Sequence, residues 1–261
     1  LVWSDEYEKT AACGHNLLGD PQDYRRRSRA LAGATLYTTA ADYARFVCAV
    51  MNNVQLSAEY TAAMLTPQVK VTDHISWGLG FGLQQDANGT AFWQWGDYGI
   101  FRNFVIAYQE PRCGVVWLTN SAHGLSITDS LVAQCLGGVT YISEYPGYPS
   151  SVSPFERFVF LMMEEGPETA LDRISEFRAA DSSLLNEAAL NGISYELLHA
   201  DRIDDALAFF ELNLREHRES SGAWVSYAEG LFKAGQLDTA IACCRRSLEL
   251  DSANRNAQHY I

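Results

Sequence analysis

The feature that most constrains this chain is an internal period of 34 residues near its C-terminal end. Shifted by that amount, Leu190 falls on Trp224, Leu197 on Leu231, Ile203 on Leu237, Asp204 on Asp238 and Ala206 on Ala240. Large apolar residues recur where a helix buries its stripe, and a small one recurs where a second helix must come close. The period therefore describes helix hairpins that bury their apolar faces by stacking on one another.

The stretch Ala223-Trp224 … Tyr227-Ala228 … Leu231 … Gly235 … Ala240-Ile241 … Leu248-Glu249-Leu250-Asp251 closely resembles the tetratricopeptide consensus. It departs in having Ser252 where proline is usual and, in the upstream copy, Asp201 where glycine is usual. Helices over Pro154–Glu165 and Pro167–Ala179 read as a degenerate extra pair, and Asn254–Ile261 as the start of a capping helix. The resemblance implies a concave groove lined by Asn191, Tyr195, Leu198, His199, Val225, Glu229, Phe232 and Lys233, of a kind that takes an extended peptide or protein segment. So short an array can equally serve only to pack on the preceding domain, and both readings stand.

Upstream of the repeats the pattern changes. Tyr141 to Ser153 strings prolines, glycine and serines together without periodicity, as a linker does. The expected sections are 1–142, a linker at 143–153, and a helical tail at 154–261. In the first, Thr39-Ala-Ala-Asp42 forms a capping box before an amphipathic helix through Phe46, Val47, Val50 and Met51, and a short helix follows from Ser57 to Met64. A β-meander is expected next, with strands at Trp77–Gln84, Thr90–Trp95, Phe101–Tyr108 and Val115–Asn120. Asn88-Gly89 suits a type I′ turn, Glu110-Pro111 and Gly114 turn the chain again, and Ile127–Leu136 reads as a covering helix. The fold class is α+β, followed by an all-α tail.

Three segments of this first section carry a second resemblance. Phe92-Trp93-Gln94-Trp95-Gly96-Asp97-Tyr98-Gly99, with the apolar strands after it, resembles the third signature of the β-lactamase and penicillin-binding-protein superfamily. Leu31-Ala32-Gly33-Ala34-Thr35-Leu36-Tyr37-Thr38-Thr39 resembles the approach to a helix in that family, and Trp77-Gly78-Leu79-Gly80-Phe81-Gly82 its next strand. The resemblance covers residues 1 to about 142. It implies an incomplete β-lactamase-like domain, related to class C enzymes and esterases, whose active-site edge strand holds Gln94, Trp95, Gly96 and Asp97 against substrate. Gln94 stands where members carry Lys or His. A neutral amide in place of a cation points to an ester or peptide substrate more than to a β-lactam carboxylate.

The same resemblance supplies a test by counting. The family's nucleophile lies in Ser-x-x-Lys, where one helical turn brings the amine beside the hydroxyl. The only lysines are Lys9, Lys70 and Lys233, preceded at three residues by Glu6, Pro67 and Gly230. No Tyr-x-Asn or Tyr-x-Ser stands before Gly33 either. Both elements precede this region in the family, and the chain opens Leu1-Val2-Trp3, so the expectation is a fragment inactive by itself, with a sheet whose open edges and apolar faces lack their cover. The rival is a protein-binding module carrying a remnant hydrolase half.

Charge and composition narrow the remaining classes. A formal charge of -13 repels phosphate backbones, so nucleic acid is not an expected partner. The basic run Arg25-Arg26-Arg27 with Arg29 reads as a solvated loop. No stretch reaches the roughly 20 apolar residues that span a bilayer. The six cysteines form no Cys-x-x-Cys pair and have no histidines at zinc spacing, so they read as structural thiols and neither metal nor cofactor is expected. Trp77-Gly-Leu-Gly-Phe-Gly lacks dinucleotide-binding spacing. The six histidines are scattered; a Ser-His-Asp arrangement stays open, and His123-Gly124 reads as a surface turn. Compartment is not legible.

Overall fold

The computed structural model describes residues 3–23, 28–149, 153–180 and 186–261. Arg25-Arg26-Arg27 and residues 150–152 of the expected linker lie outside the described residues. The chain divides into two compact units, Leu1–Glu156 and Arg157–Ile261.

In the first unit a 3-10 helix over Asp5–Lys9 precedes two short antiparallel strands, β1 (Gly14–His15) and β2 (Pro21–Gln22). Helices α1 (Ala40–Met51) and α2 (Ala58–Met64) follow. Each is started by a side chain that accepts an otherwise orphaned backbone N–H: Thr39 from Asp42 at 3.1 Å and Ser57 from Tyr60 at 3.2 Å. Val47 and Val50 are buried, whereas Phe46, expected on the same stripe, is exposed. It lies on the flank of the row Tyr43, Val47, Val50 that meets the sheet.

Six strands form one antiparallel meander in chain order: β3 (Val69–Lys70), β4 (Ile75–Trp77), β5 (Gly82–Asp86), β6 (Gly89–Asp97), β7 (Arg102–Tyr108) and β8 (Cys113–Thr119). Three local expectations are corrected. Trp77–Gln84 is two strands, because the chain reverses at Gly78–Phe81; a Cβ at Gly78 would stand 2.1 Å from the Met64 carbonyl oxygen, and Gly80 has φ +90°. The type I′ turn does not form. Asp86 pairs with Gly89, leaving Ala87 and Asn88 as the loop, and of Asn88 and Gly89 only the glycine has positive φ. The Asp86 carboxylate accepts the Asn88 N–H at 2.7 Å, which holds the turn in this other form. Gly114 does not turn the chain either. It lies in β8 opposite Ala107, where a Cβ would come within 2.8 Å of Ala107 Cβ, and Arg112 takes the positive φ of the turn.

Side-chain alternation buries both faces of the central strands. Trp93, Phe104, Ile106, Tyr108 and Trp117 pack on one face with Val132 of α3 (Thr128–Leu136), Ile142 and Tyr148. Leu83, Phe92, Val105 and Ala107 face Val47 and Val50 of α1 on the other.

The second unit takes up within α4 (Pro154–Glu165) and continues through α5 (Pro167–Asp172) and α6 (Ile174–Ala180). The single helix expected at Pro167–Ala179 is thus broken at Arg173, whose N–H closes back on the Thr169 carbonyl as a cap. Then come α7 (Glu187–His199), α8 (Ile203–Glu216), α9 (Ser221–Lys233), α10 (Leu237–Leu250) and α11 (Arg255–His259). The boundaries of α9 and α10 repeat those of α7 and α8 at the period read from the sequence, as do the capping side chains Asn186 and Ser220. Even the positive-φ position recurs, as Asp201 (φ 60°) and Gly235 (φ 76°).

Candidate functional site

The expected substrate strand, β6, is internal, fourth of six. Its residues 89–93 pair with β5, however, while Gln94, Trp95, Gly96 and Asp97 pair only with β7. The edge is therefore local: four residues overhang β5 and leave one side of their backbone open. Alternation splits the four. Gln94 and Gly96 share the face of Phe92, and Trp95 and Asp97 share that of Trp93. Gln94 Nε2 donates to the Gly80 carbonyl at 3.0 Å and its Oε1 accepts the Trp95 N–H at 3.0 Å, so both ends of the amide are engaged. Space is open where a Cβ on Gly96 would stand.

On the other face Trp95 meets Tyr148 edge-on with centroids 5.2 Å apart, and Asp97 lies opposite Arg102. Arg102 Nε stands 3.1 Å from Asp97 Oδ2, off the line of the N–H, so this contact is Coulombic. Arg102 Nη1 also donates to the Ala122 carbonyl and lies 3.3 Å from Glu156 Oε1. Glu156 is only 1% exposed, and its second oxygen is 2.9 Å from His123 Nδ1. Asp97, Arg102, Tyr148, Phe155 and Glu156 line a cleft of about 280 Å³.

His123 is consequently no surface turn. Its Nε2 faces the Leu17 carbonyl at 2.9 Å, so each ring nitrogen has an acceptor, an arrangement that suits the imidazolium. Burial is the largest single influence and lowers its pKa. The Glu156 hydrogen bond, the Leu17 carbonyl and the Glu156 charge together outweigh burial, and the net shift is upward. With Nε2 committed to Leu17, His123 and Glu156 cannot relay a proton from a serine; the Ser121 hydroxyl accepts the His123 backbone N–H instead. Sequence reading overlooked Arg102 and Glu156. Opposite charges flanking the β6–β7 turn could have signalled the first, but nothing local signals Glu156.

In the second unit, Tyr195 of α7 and Glu229 of α9 are joined by a 2.6 Å hydrogen bond from the hydroxyl to Oε2. Asn191 donates to Ser226 Oγ at 3.0 Å and accepts from Asn213 at 3.1 Å. Leu198 and Phe232 are partly buried, and His199 and Lys233 are exposed. Val225 departs from expectation. It is 4% exposed in the core with Ala228, Leu231, Ala240 and Ala257, because α10 and α11 close over its side of α9. Among the described residues no group of histidine, cysteine and carboxylate side chains could hold a metal, and no helix is long and apolar enough to cross a membrane.

Comparison with known proteins assigns residues 3–132 to the family model described as Beta-lactamase. No curated protein matches the sequence. Among solved structures, the chain is similar to the octameric penicillin-binding protein homologue from Pyrococcus abyssi (21% identity, TM-score 0.46, 62% of this chain and 37% of that one). It is also similar to the first tetratricopeptide domain of Spaghetti (RPAP3) bound to the HSP90 peptide SRMEEVD (18% identity, TM-score 0.30, 41% of this chain and 82% of that one). The first such domain of human RPAP3 gives 17% identity, a TM-score of 0.30, and 42% and 84% coverage.

Proposed function

We propose that this chain, whose residues 3–132 match the β-lactamase family model, supplies the substrate-side strand of a serine hydrolase without forming an acyl-enzyme by itself. One observation carries the reading. None of Lys9, Lys70 and Lys233 follows a serine by three residues, so these 261 residues hold no Ser-x-x-Lys pair to generate a nucleophile. The overhang at 94–97 is where a substrate backbone could add alongside β6, with Gln94 releasing Gly80 and the Trp95 N–H to serve as a neutral contact suited to an ester or peptide. His123, held between Glu156 and Leu17, offers no replacement base.

Labelling tests this directly. Incubated with a fluorophosphonate or a fluorescent penicillin, the chain is expected to show no covalent adduct by intact mass. A stoichiometric adduct on any serine refutes the proposal.

A second reading has its own support. The two helix hairpins repeat boundary for boundary, and Tyr195, Glu229 and Phe232 share the face formed by α7 and α9, which favours a peptide-binding groove on the helical unit. On this reading the helical unit recruits a protein partner.

A further inference from the structure

Glu229 is a half-buried carboxylate whose hydrogen-bond partner is a hydroxyl rather than a cation. Its Oε2 accepts the Tyr195 hydroxyl at 2.6 Å, and no lysine, arginine or histidine pairs with it among the described residues. Lys233 stands one turn further along α9, the position from which it could pair with Glu229. Its amine instead lies 3.7 Å from Asp201. The Glu229 charge is therefore not neutralised by a neighbouring cation.

Aromatic side chains stand near that carboxylate. Phe232, nearly one turn from Glu229 on α9, stacks on Tyr260 at the end of α11, with centroids 4.7 Å apart and planes 24° apart. Tyr195 approaches from α7. The Glu229 charge reaches both tyrosines, adding to the upward push that burial exerts on their hydroxyl pKa values. A carboxylate with aromatic side chains close by favours a cation, because charge and ring quadrupole act in the same direction. The helical unit's charge agrees: residues 157–261 contain 18 Asp and Glu against 10 Lys and Arg.

We propose that the groove of the helical unit recognises a basic peptide segment, with one lysine or arginine side chain seated on Glu229 between Tyr195, Phe232 and Tyr260. This rests on the reading of that face as a peptide groove, and it commits the groove to a cationic ligand.

The test pans a phage-displayed random dodecapeptide library on the full chain, then measures synthetic copies of the enriched peptides by fluorescence anisotropy. The expected result is a shared Lys or Arg whose replacement by norleucine weakens binding about tenfold or more, with a similar loss on the near-isosteric Glu229→Gln variant. Tyr260→Leu, at the partly exposed chain end, should weaken the same peptides with the fold unchanged by circular dichroism. Enriched peptides that are acidic or apolar, and bind Glu229→Gln as well as the parent chain, overturn the cation assignment while leaving the groove standing. The acidic heptapeptide SRMEEVD serves as the direct comparison, and binding of it in preference to the basic peptides likewise overturns the assignment. No enrichment at all overturns the groove reading and this proposal together.

Discussion

Substituting Gly82 by alanine probes the packing that holds β6 in place. Gly82 pairs with Trp93 across β5 and β6, and an added Cβ would stand 2.3 Å from two indole carbons and 2.4 Å from a third. Carbon atoms in good contact are roughly 3.5–4.0 Å apart, so the overlap exceeds an ångström at three atoms together. Trp93 has little room to retreat. It is fully buried, with Trp77, Phe104 and Tyr145 against it at centroid distances of 5.2, 6.3 and 6.2 Å. Overpacking costs about 1–3 kcal/mol in a close-packed core. The reduced freedom of the unfolded chain returns about 0.4–1 kcal/mol. A net loss of about 1–2 kcal/mol is expected for Gly82→Ala. Urea unfolding followed by tryptophan fluorescence reads it, since five of the six tryptophans (Trp3, Trp77, Trp93, Trp95 and Trp117) belong to the first unit. Trp93→Phe shortens the ring that the new methyl meets, so the double variant should be more stable than additivity predicts, by about 1 kcal/mol or more. A neutral Gly82→Ala, or strict additivity in the cycle, refutes the argument.

The His123 pKa is raised in the folded state, so the stability it contributes is fully present below its unfolded value of about 6.5 and is lost as pH rises through the folded value; urea midpoints between pH 6 and 9 should fall, and Glu156→Gln should flatten that slope while costing about 3–5 kcal/mol, because it leaves Arg102 and His123 without their shared buried carboxylate. Asp201 occupies a left-handed conformation that its repeat counterpart Gly235 adopts freely; Asp201→Gly should therefore raise the melting temperature of the helical unit by a degree or more, equivalent to about 0.5 kcal/mol, and Gly235→Asp should lower it.

Much of this protein was legible in one dimension because its strongest signals are local. Thr39 and Ser57 announce their helices through a backbone N–H three residues away. The break at Gly78–Phe81 was missed because a tertiary neighbour makes it: Met64 occupies the space beside Gly78, so the strand turns there. The Asn88-Gly89 signal was real as a turn and wrong in its type, since the Asp86 side chain supplies a hydrogen bond that the dipeptide alone does not encode.

By itself the sequence determined that no Ser-x-x-Lys lies within these residues and that the helical tail repeats with a period of 34, because counting and periodicity need no third dimension. Only the tertiary structure decided that β6 is internal with a four-residue overhang, since strand neighbours depend on which distant segments pair. It alone brought Glu156 to Arg102 and His123 across 54 and 33 residues of chain. It alone joined Glu229 to the Tyr195 hydroxyl while Lys233 turned to Asp201. Charge is written along the chain, but which charges meet is settled by packing.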